Sequence, residues 1–181
     1  MYLNGCKPEK MNREQLFREA IRENSQRIFR ICCYFFSEIE NRNDAYQETL
    51  IRLWENLHTF KGQSQLSTWI YRVTLNTCLS CIRSEKKRNG LIEPCGTSSH
   101  DVADSSGDEN AWNEEQKMVF LQQFLMNLSA ADRTLVSLYL EDVSTREMAE
   151  ITGISESNVR VRIYRIKERI KNEWEEKQHG T

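Results

Sequence analysis

Five side chains near the carboxyl end of the chain have the types and the spacing needed to read bases in double-stranded DNA. They follow one another at intervals of three, one, three and one residues and are Ser157, Arg160, Val161, Tyr164 and Arg165. This spacing places all five on one face of a helix, and an α-helix fits the major groove. There, arginine donates two hydrogen bonds to guanine, and valine or tyrosine contacts the methyl group of thymine. The alternative is a solvated, charged face on an ordinary core helix.

The residues just before this face predict a helix-turn-helix that would position it. Ser144 and Glu147 have the spacing of a capping box, so a helix should begin at Thr145. Gly153 suits the left-handed conformation that ends a helix, and Ser155 suits the cap of the next one. Because both caps and the glycine coincide with the base-reading face, they favour DNA binding over the charged-face alternative.

Other basic residues are better suited to the phosphate backbone than to base edges. On the same helix they are Arg162, Lys167, Arg169 and Lys171. A second group, nearer the middle of the chain, comprises Arg83, Lys86, Lys87 and Arg88. The 181-residue chain has a formal net charge of only -2, yet residues 61–90 carry +5 and residues 91–115 carry -7. A concentrated basic patch is therefore present in a chain that is not basic as a whole.

Apolar residues recur at helical intervals along most of the chain. The predicted helices cover residues 16–35 and then begin near Asn43 or Asp44, at Ser67 or Thr68, near residue 118 and at Ser129. Residues 89–113 collect proline, glycine, serine and acidic residues with little periodicity, as expected of a flexible tether. The sequence therefore predicts an all-α fold with two small helical domains, residues 1–88 and 114–181, joined by a flexible acidic linker.

Two segments resemble the sigma factors of bacterial RNA polymerase. Region 4 of those proteins is similar to residues 128–170, which read LSAADRTLVSLYLEDVSTREMAEITGISESNVRVRIYRIKERI. Region 2 of the extracytoplasmic-function (ECF) group, which carries only regions 2 and 4, is similar to residues 44–83, which read DAYQETLIRLWENLHTFKGQSQLSTWIYRVTLNTCLSCIR. The lack of a membrane-spanning run and of a nucleophile motif predicts a cytoplasmic, non-enzymatic protein without a cofactor. The resemblance implies that the protein binds the clamp helices and flap of core RNA polymerase, directs the polymerase to specific promoters and helps to melt the minus 10 region.

The resemblance also assigns residues to each of these tasks. The family's minus 35 contact positions fall on the base-reading face, at Arg160, Val161, Tyr164 and Arg165, and its motif for docking on the clamp helices falls on Asp44, Gln47 and Glu48. The alternative for this motif is a helix cap with solvated polar neighbours. An anti-sigma protein that masks these surfaces is a further implied partner.

The minus 10 surface falls on a loop and the helix after it. Its residues are Phe60, Lys61, Gln63, Ser64, Trp69, Arg72 and Asn76. Trp69 can instead be a core residue of a helical apolar stripe, and Asn76 can be a buried amide that bonds to the backbone. Arg72 is also suited to duplex phosphates, together with the basic group at residues 83–88.

Two other functions fit parts of the sequence. A stand-alone helix-turn-helix regulator needs only the second half, and it leaves the resemblance to region 2 unexplained. A zinc or redox site could use Cys78 and Cys81 with Cys95 and His100, but a strong zinc signal has two closely spaced ligand pairs. No metal site is therefore expected, and the six cysteines are interpreted as thiols. No apolar run is long enough for membrane insertion, and no nucleophile motif accompanies the three histidines.

Overall fold

The structure is a computed structural model that describes residues 13–88 and 114–179. Its helices are α1 Arg13–Phe35, α2 Ile39–Asn56, α3 Leu66–Arg88, α4 Glu114–Met126, α5 Ala130–Leu140, α6 Thr145–Thr152 and α7 Glu156–His179, with a 3-10 turn at Leu57–Thr59. The described residues contain no strand, which confirms the predicted all-α class. The predicted tether lies outside them. None of the described helices is long and apolar enough to cross a membrane.

The start of α2 differs from the prediction. The sequence favoured Asn43 or Asp44 as the cap, whereas the helix begins at Ile39 and Asp44 lies inside it. Arg42 explains the difference, because its guanidinium donates to the carbonyl oxygens of Phe36 and Ser37, each at 2.8 Å. These bonds close the corner between α1 and α2 without a side-chain cap, so cap-forming residue types gave the wrong boundary.

The first three helices pack together as a bundle. Their own apolar cluster contains Ala20, Ile28, Leu53 and Ile70. The hydroxyl groups of buried threonines in this bundle donate hydrogen bonds to carbonyl oxygens of the preceding helical turn, as Thr49 does to Ala45 O at 2.7 Å. Such bonds let a hydroxyl lie in an apolar core without an unpaired donor.

The last four helices have a second cluster, and a third cluster joins them to the first bundle. The second contains Phe124, Leu125, Leu128, Val136 and Ile166. The third includes Ile31, Cys32, Phe35 and Phe36 of α1, Leu75 of α3, Leu135 and Leu138 of α5, Met148 of α6 and Val159 of α7. The two halves are therefore docked on each other through a common core.

Polar contacts support this docking. The Gln122 amide of α4 donates to Cys33 O at 3.0 Å, at the end of α1. The Arg133 guanidinium of α5 donates to Phe35 O at 3.2 Å. Since both acceptors lie in the last turn of α1, these side chains satisfy carbonyl groups that a helix end leaves without intrahelical partners.

Replacing Phe35 by alanine should lower the free energy of unfolding by about 3–5 kcal/mol, the range for truncating a buried aromatic ring. Phe35 is only 2% exposed and lies in the common core. Urea denaturation followed by circular dichroism measures the loss. Ile39→Ala is the control, because Ile39 is 64% exposed and its truncation should change stability by no more than about 0.5 kcal/mol. Equal losses in the two variants would contradict the common core.

Candidate nucleic-acid interface

The caps around α6 and α7 are those predicted from the sequence. Ser144 Oγ accepts from Glu147 N at 3.3 Å, and the Glu147 carboxylate accepts from Ser144 N at 3.2 Å. Gly153 ends α6 with φ of 75°, in the left-handed region that favours glycine. Ser155 Oγ accepts from Asn158 N at 3.3 Å in the first turn of α7. The capping box and the helix-turn-helix are confirmed.

The five base-reading candidates share the outer face of α7. All of them are exposed: Ser157, Arg160, Val161, Tyr164 and Arg165. The inner face is anchored by Val159, which is 1% exposed, and by Ile166. Tyr164, at 64%, and Val161, at 46%, are exposed apolar side chains and are available for contacts outside the chain.

The basic residues of α7 differ in how far they are engaged within the chain. Arg160 forms an exposed pair with Glu156 at 2.7 Å. Arg162 donates twice to Asp132 of α5, at 3.0 and 2.6 Å, and this half-buried pair braces α7 against α5. A phosphate role for Arg162 therefore requires it to leave Asp132.

The basic residues nearer the carboxyl end of α7 also have partners within the chain. The Lys167 ammonium lies 4.2 Å from the centre of the Tyr139 ring, and Arg169 pairs with Glu173 at 2.7 Å. Lys171 lies 3.8 Å from Glu175. Because these cations remain largely exposed, their internal contacts are weak and leave them accessible to phosphate.

The loop that holds the predicted minus 10 residues is positioned by a glycine turn and an aromatic contact. Gly62 has φ of 68°, and the rings of Phe60 and Trp69 lie 5.8 Å apart. Trp69 is half-buried against the cluster of the first bundle, so its ring packs in the core and keeps one accessible side. Lys61 and Gln63 are exposed, and Ser64 is half-buried.

Arg72 and Asn76 point towards the helix-turn-helix. Asn76 is exposed, so its interpretation as a buried amide is wrong. It lines a cleft of about 240 Å³ between α3 and the helices α5 and α6. Arg72 donates to the carbonyl oxygen of Glu150 in α6. Arg72 and Asn76 therefore face the second half of the chain, and their surroundings differ from those of the Phe60 loop.

The basic group at the end of α3 is exposed where it is described. Arg83, Lys87 and Arg88 are exposed, and Arg83 donates to Leu79 O at 3.2 Å. The side chain of Lys86 lies outside the described part of the structure. This end of α3 presents positive charge that is accessible to a duplex backbone.

The polymerase-docking candidates share the outer face of α2 with an isoleucine that sequence analysis missed. Asp44 and Gln47 are exposed, and Glu48 pairs with Arg52 at 2.7 Å. Ile51 is 51% exposed and follows Gln47 by four residues and Glu48 by three. Since residues three and four apart are neighbours on a helix, Ile51 belongs to the same surface. The sequence did carry a signal for this residue, because Ile51 lies outside the apolar stripe that α2 buries.

The cysteines give no sign of a metal centre in the parts of the chain that are described. No group of three His, Cys, Asp or Glu side chains converges among residues 13–88 and 114–179, and the Cys95 and His100 candidates lie outside them. Burial raises the pKa of the Cys33 and Cys81 thiols. A hydrogen bond with Cys32, and then burial, raise that of Cys78. Protonated thiols are poor ligands and nucleophiles. Cys32 and Cys78 are buried in the common core, and Cys33 and Cys81 are half-buried.

The two halves match two families in the order expected from the residues. Residues 20–88 match Sigma-70 region 2, and residues 114–170 match Sigma-70, region 4. The chain is 28% identical over 180 residues to the ECF RNA polymerase sigma factor SigW of Bacillus subtilis, covering 96% of each. It is 31% identical over 139 residues to the ECF RNA polymerase sigma-E factor of Haemophilus influenzae, covering 71% of this chain and 72% of that one.

Two solved structures share the fold. The structure of CnrH in complex with the cytosolic domain of CnrY has a TM-score of 0.65 at 16% identity, covering 90% of this chain and 89% of that one. The sigma factor RpoE of Bartonella quintana, in complex with the anti-sigma factor NepR, also has a TM-score of 0.65, at 20% identity, covering 86% and 94%. The matches in both halves and the relative at 31% identity show the family: the chain belongs to the ECF sigma factors of bacterial RNA polymerase.

Proposed function

We propose a division of labour between the two halves of this sigma factor. As a member of the ECF group, the chain directs RNA polymerase to promoters for the initiation of transcription. Residues 1–88 would bind the polymerase clamp and the minus 10 element, and residues 114–181 the minus 35 element and the polymerase flap. The observation that carries the proposal is the five-residue outer face of α7, which is exposed and fixed in direction by two caps. The proposed site of action is the cytoplasm, where bacterial polymerase works.

The minus 35 element would be read by the outer face of α7. Arg160 and Arg165 can each donate two hydrogen bonds to a guanine, while Val161 and Tyr164 offer apolar contacts to thymine methyl groups. The Glu156 partner of Arg160 does not oppose this, because an exposed ion pair contributes only about 0–1 kcal/mol. Ser157 would enter the groove on the same face, and the other basic residues of α7 would add phosphate contacts that set the register.

Promoter melting would be driven by binding energy. Opening about ten base pairs costs on the order of 14 kcal/mol in stacking, at about 1.4 kcal/mol per step. The sequence has no phosphate-binding G-x-x-x-x-G-K-[ST] loop, so we propose a non-enzymatic mechanism. Capture of unpaired bases beside Phe60 and Trp69 recovers a few kcal/mol for each base, and polymerase contacts supply more.

The docking surface for polymerase would be the outer face of α2. Asp44, Gln47 and Glu48 provide polar groups there, and Ile51 provides an exposed apolar centre. An apolar anchor surrounded by polar groups is the usual arrangement of a protein interface. We also propose an anti-sigma partner, because both similar structures were solved with such a protein or with a second protein bound.

Reconstitution with core polymerase tests the proposal as a whole. Purified chain, host core polymerase and genomic fragments should yield transcripts with defined starts that are absent when the chain is omitted. Sequencing of the transcript ends measures this. Tight, specific DNA binding without polymerase, combined with no effect on transcription, would favour a stand-alone regulator.

Replacing Arg165 by alanine should weaken use of the cognate promoter by about 1–3 kcal/mol, the range for a base-reading arginine. The loss should depend on the base that it contacts, which promoters with single substitutions in the minus 35 element would reveal. Lys171→Ala is the matched control on the same helix, and its loss should be equal on all sequences. A sequence-independent loss for Arg165 would make it a phosphate contact.

Replacing Ile51 by alanine should weaken binding to core polymerase by about 1 kcal/mol, or about five-fold, since a half-exposed isoleucine has that much apolar area left to bury. Fluorescence anisotropy of labelled chain measures the affinity. Ile39→Ala serves as the control, because Ile39 is exposed on the same helix but about 120° round its axis. Equal effects of the two changes would exclude a specific role for Ile51.

A further inference from the structure

Arg162 is held within the chain differently from the neighbouring arginines of α7. Its Nε and Nη2 atoms both donate to Oδ1 of Asp132 in α5, at 3.0 and 2.6 Å. The two side chains are 31% and 29% exposed, so solvent screens their attraction less than that of an exposed pair. Arg169, in contrast, is 49% exposed and pairs with Glu173 one turn further along α7. The Arg162 pair therefore holds α7 to a second helix, whereas the Arg169 pair lies within α7.

The partner of Arg162 is itself fixed at the start of α5. Ser129, the N-cap of this helix, donates its hydroxyl proton to Asp132 Oδ2 at 2.8 Å and accepts a bond from Asp132 N at 3.1 Å. One carboxylate oxygen thus bonds to the cap and the other bonds to Arg162. Because residues 133–138 are all buried, the helix that carries the carboxylate is also anchored. We call Ser129, Asp132 and Arg162 the α5–α7 brace.

The position of Arg162 on α7 suits this role better than contact with DNA. At about 100° per residue, Arg162 lies about 40° round the helix axis from the buried Ile166. It lies about 160° from Arg160 and Tyr164, and about 60° from Arg165, the nearest residue of the outer face. A guanidinium near the inner face projects away from a groove that the outer face enters.

We propose that the α5–α7 brace consists of positioning residues for promoter recognition, which fix the direction of the outer face of α7 and do not themselves contact DNA. This inference rests on the proposed function of that face, and it removes Arg162 from the residues expected to bind phosphate. A helix that already points along the groove loses less conformational freedom on binding. Without the brace, α7 keeps the reading direction for only part of the time, and its apparent affinity for the minus 35 element falls by that fraction.

Replacing Asp132 by asparagine separates the two roles of Arg162, because they predict opposite effects. The change keeps the size of the side chain and removes its charge. A phosphate-binding Arg162 would be released from a competing carboxylate, and holoenzyme would bind a cognate promoter more tightly. A positioning Arg162 is held less firmly by a neutral amide, so binding should weaken about three- to ten-fold if α7 keeps its direction for about a third to a tenth of the time. Glu173→Gln is the matched comparison: it releases Arg169 in the same way and should not weaken binding.

Variants of Arg162 itself give a second test. A lysine keeps the charge that attracts phosphate, but it lacks the guanidinium fork that places two donors on Asp132. Arg162→Lys should therefore lose most of the affinity that Arg162→Ala loses, whereas Arg169→Lys should bind like the wild type. The logarithm of the binding constant falls with the logarithm of salt concentration, and each phosphate contact contributes about 0.9 to the slope. Arg162→Ala should leave this slope unchanged.

A template without a minus 35 element separates positioning from a loss of folding. A forked DNA that carries only the minus 10 element does not need α7, so the Asp132→Asn and Arg162→Lys holoenzymes should bind it like the wild type. Tighter promoter binding by Asp132→Asn, a slope reduced by about 0.9 in Arg162→Ala, or equal losses on both templates would each overturn the proposal. A wild-type holoenzyme that is indifferent to the minus 35 sequence would instead refute the proposed function of α7.

Discussion

The architecture depends on the middle of one helix, α5, being buried around its whole circumference. Residues 133–138 are all buried, and six consecutive residues of an α-helix point in every direction around its axis. The cluster with Phe124 and Ile166 covers one side, and the cluster with Ile31 and Phe35 of α1 covers another. A helix that is covered on all sides needs neighbours from more than one unit. The helix-turn-helix half therefore completes its core with side chains from the other half.

This shared core determines the free-energy cost of separating the two halves. Moving α5 away from α1 exposes apolar area, at a cost of about 25 cal/mol for each Å². It also breaks the amide and guanidinium bonds from Gln122 and Arg133 to the end of α1. Any partner that separated the halves would have to offset this cost by covering comparable apolar surface.

Sequence-based prediction succeeded where the interacting residues are close together in the chain and failed where they are far apart. The capping box at Ser144 and the left-handed turn at Gly153 depend on residues within three or four positions, so their spacing was sufficient. The start of α2 was missed because Arg42 closes the corner by bonds to backbone oxygens, which no residue-type preference records. The ion pair between Arg30 and Glu141 joins residues 111 positions apart. Nothing in the periodicity of either helix indicates that pairing.

The site residues show the same limit. The outer face of α7 was predicted from spacing alone, because a helical face is a local property. Asn76 was open to a buried interpretation, and its exposure in a cleft depends on where α5 and α6 lie. Ile51 was missed because the prediction for α2 followed the polar motif and the buried stripe, and not the apolar residue between them. Residues whose surroundings come from another part of the chain required the structure.

The arginines of the second half of the chain differ in how deeply they are buried, and the depth of burial matches the role proposed for each. Arg160 is paired at the surface, where water and salt screen the attraction and leave the side chain available. Arg162 is half-buried on Asp132 and fixes the direction in which α7 projects. Arg133 is almost fully buried and donates to backbone carbonyl oxygens of Met126, Leu128 and Phe35. A cation that must leave its partner for DNA is useful only where leaving costs little, whereas a cation that orients a helix must be costly to move. Under the proposed function, the same side-chain type serves recognition on the outer face of α7 and architecture in α5 and where α7 meets α5.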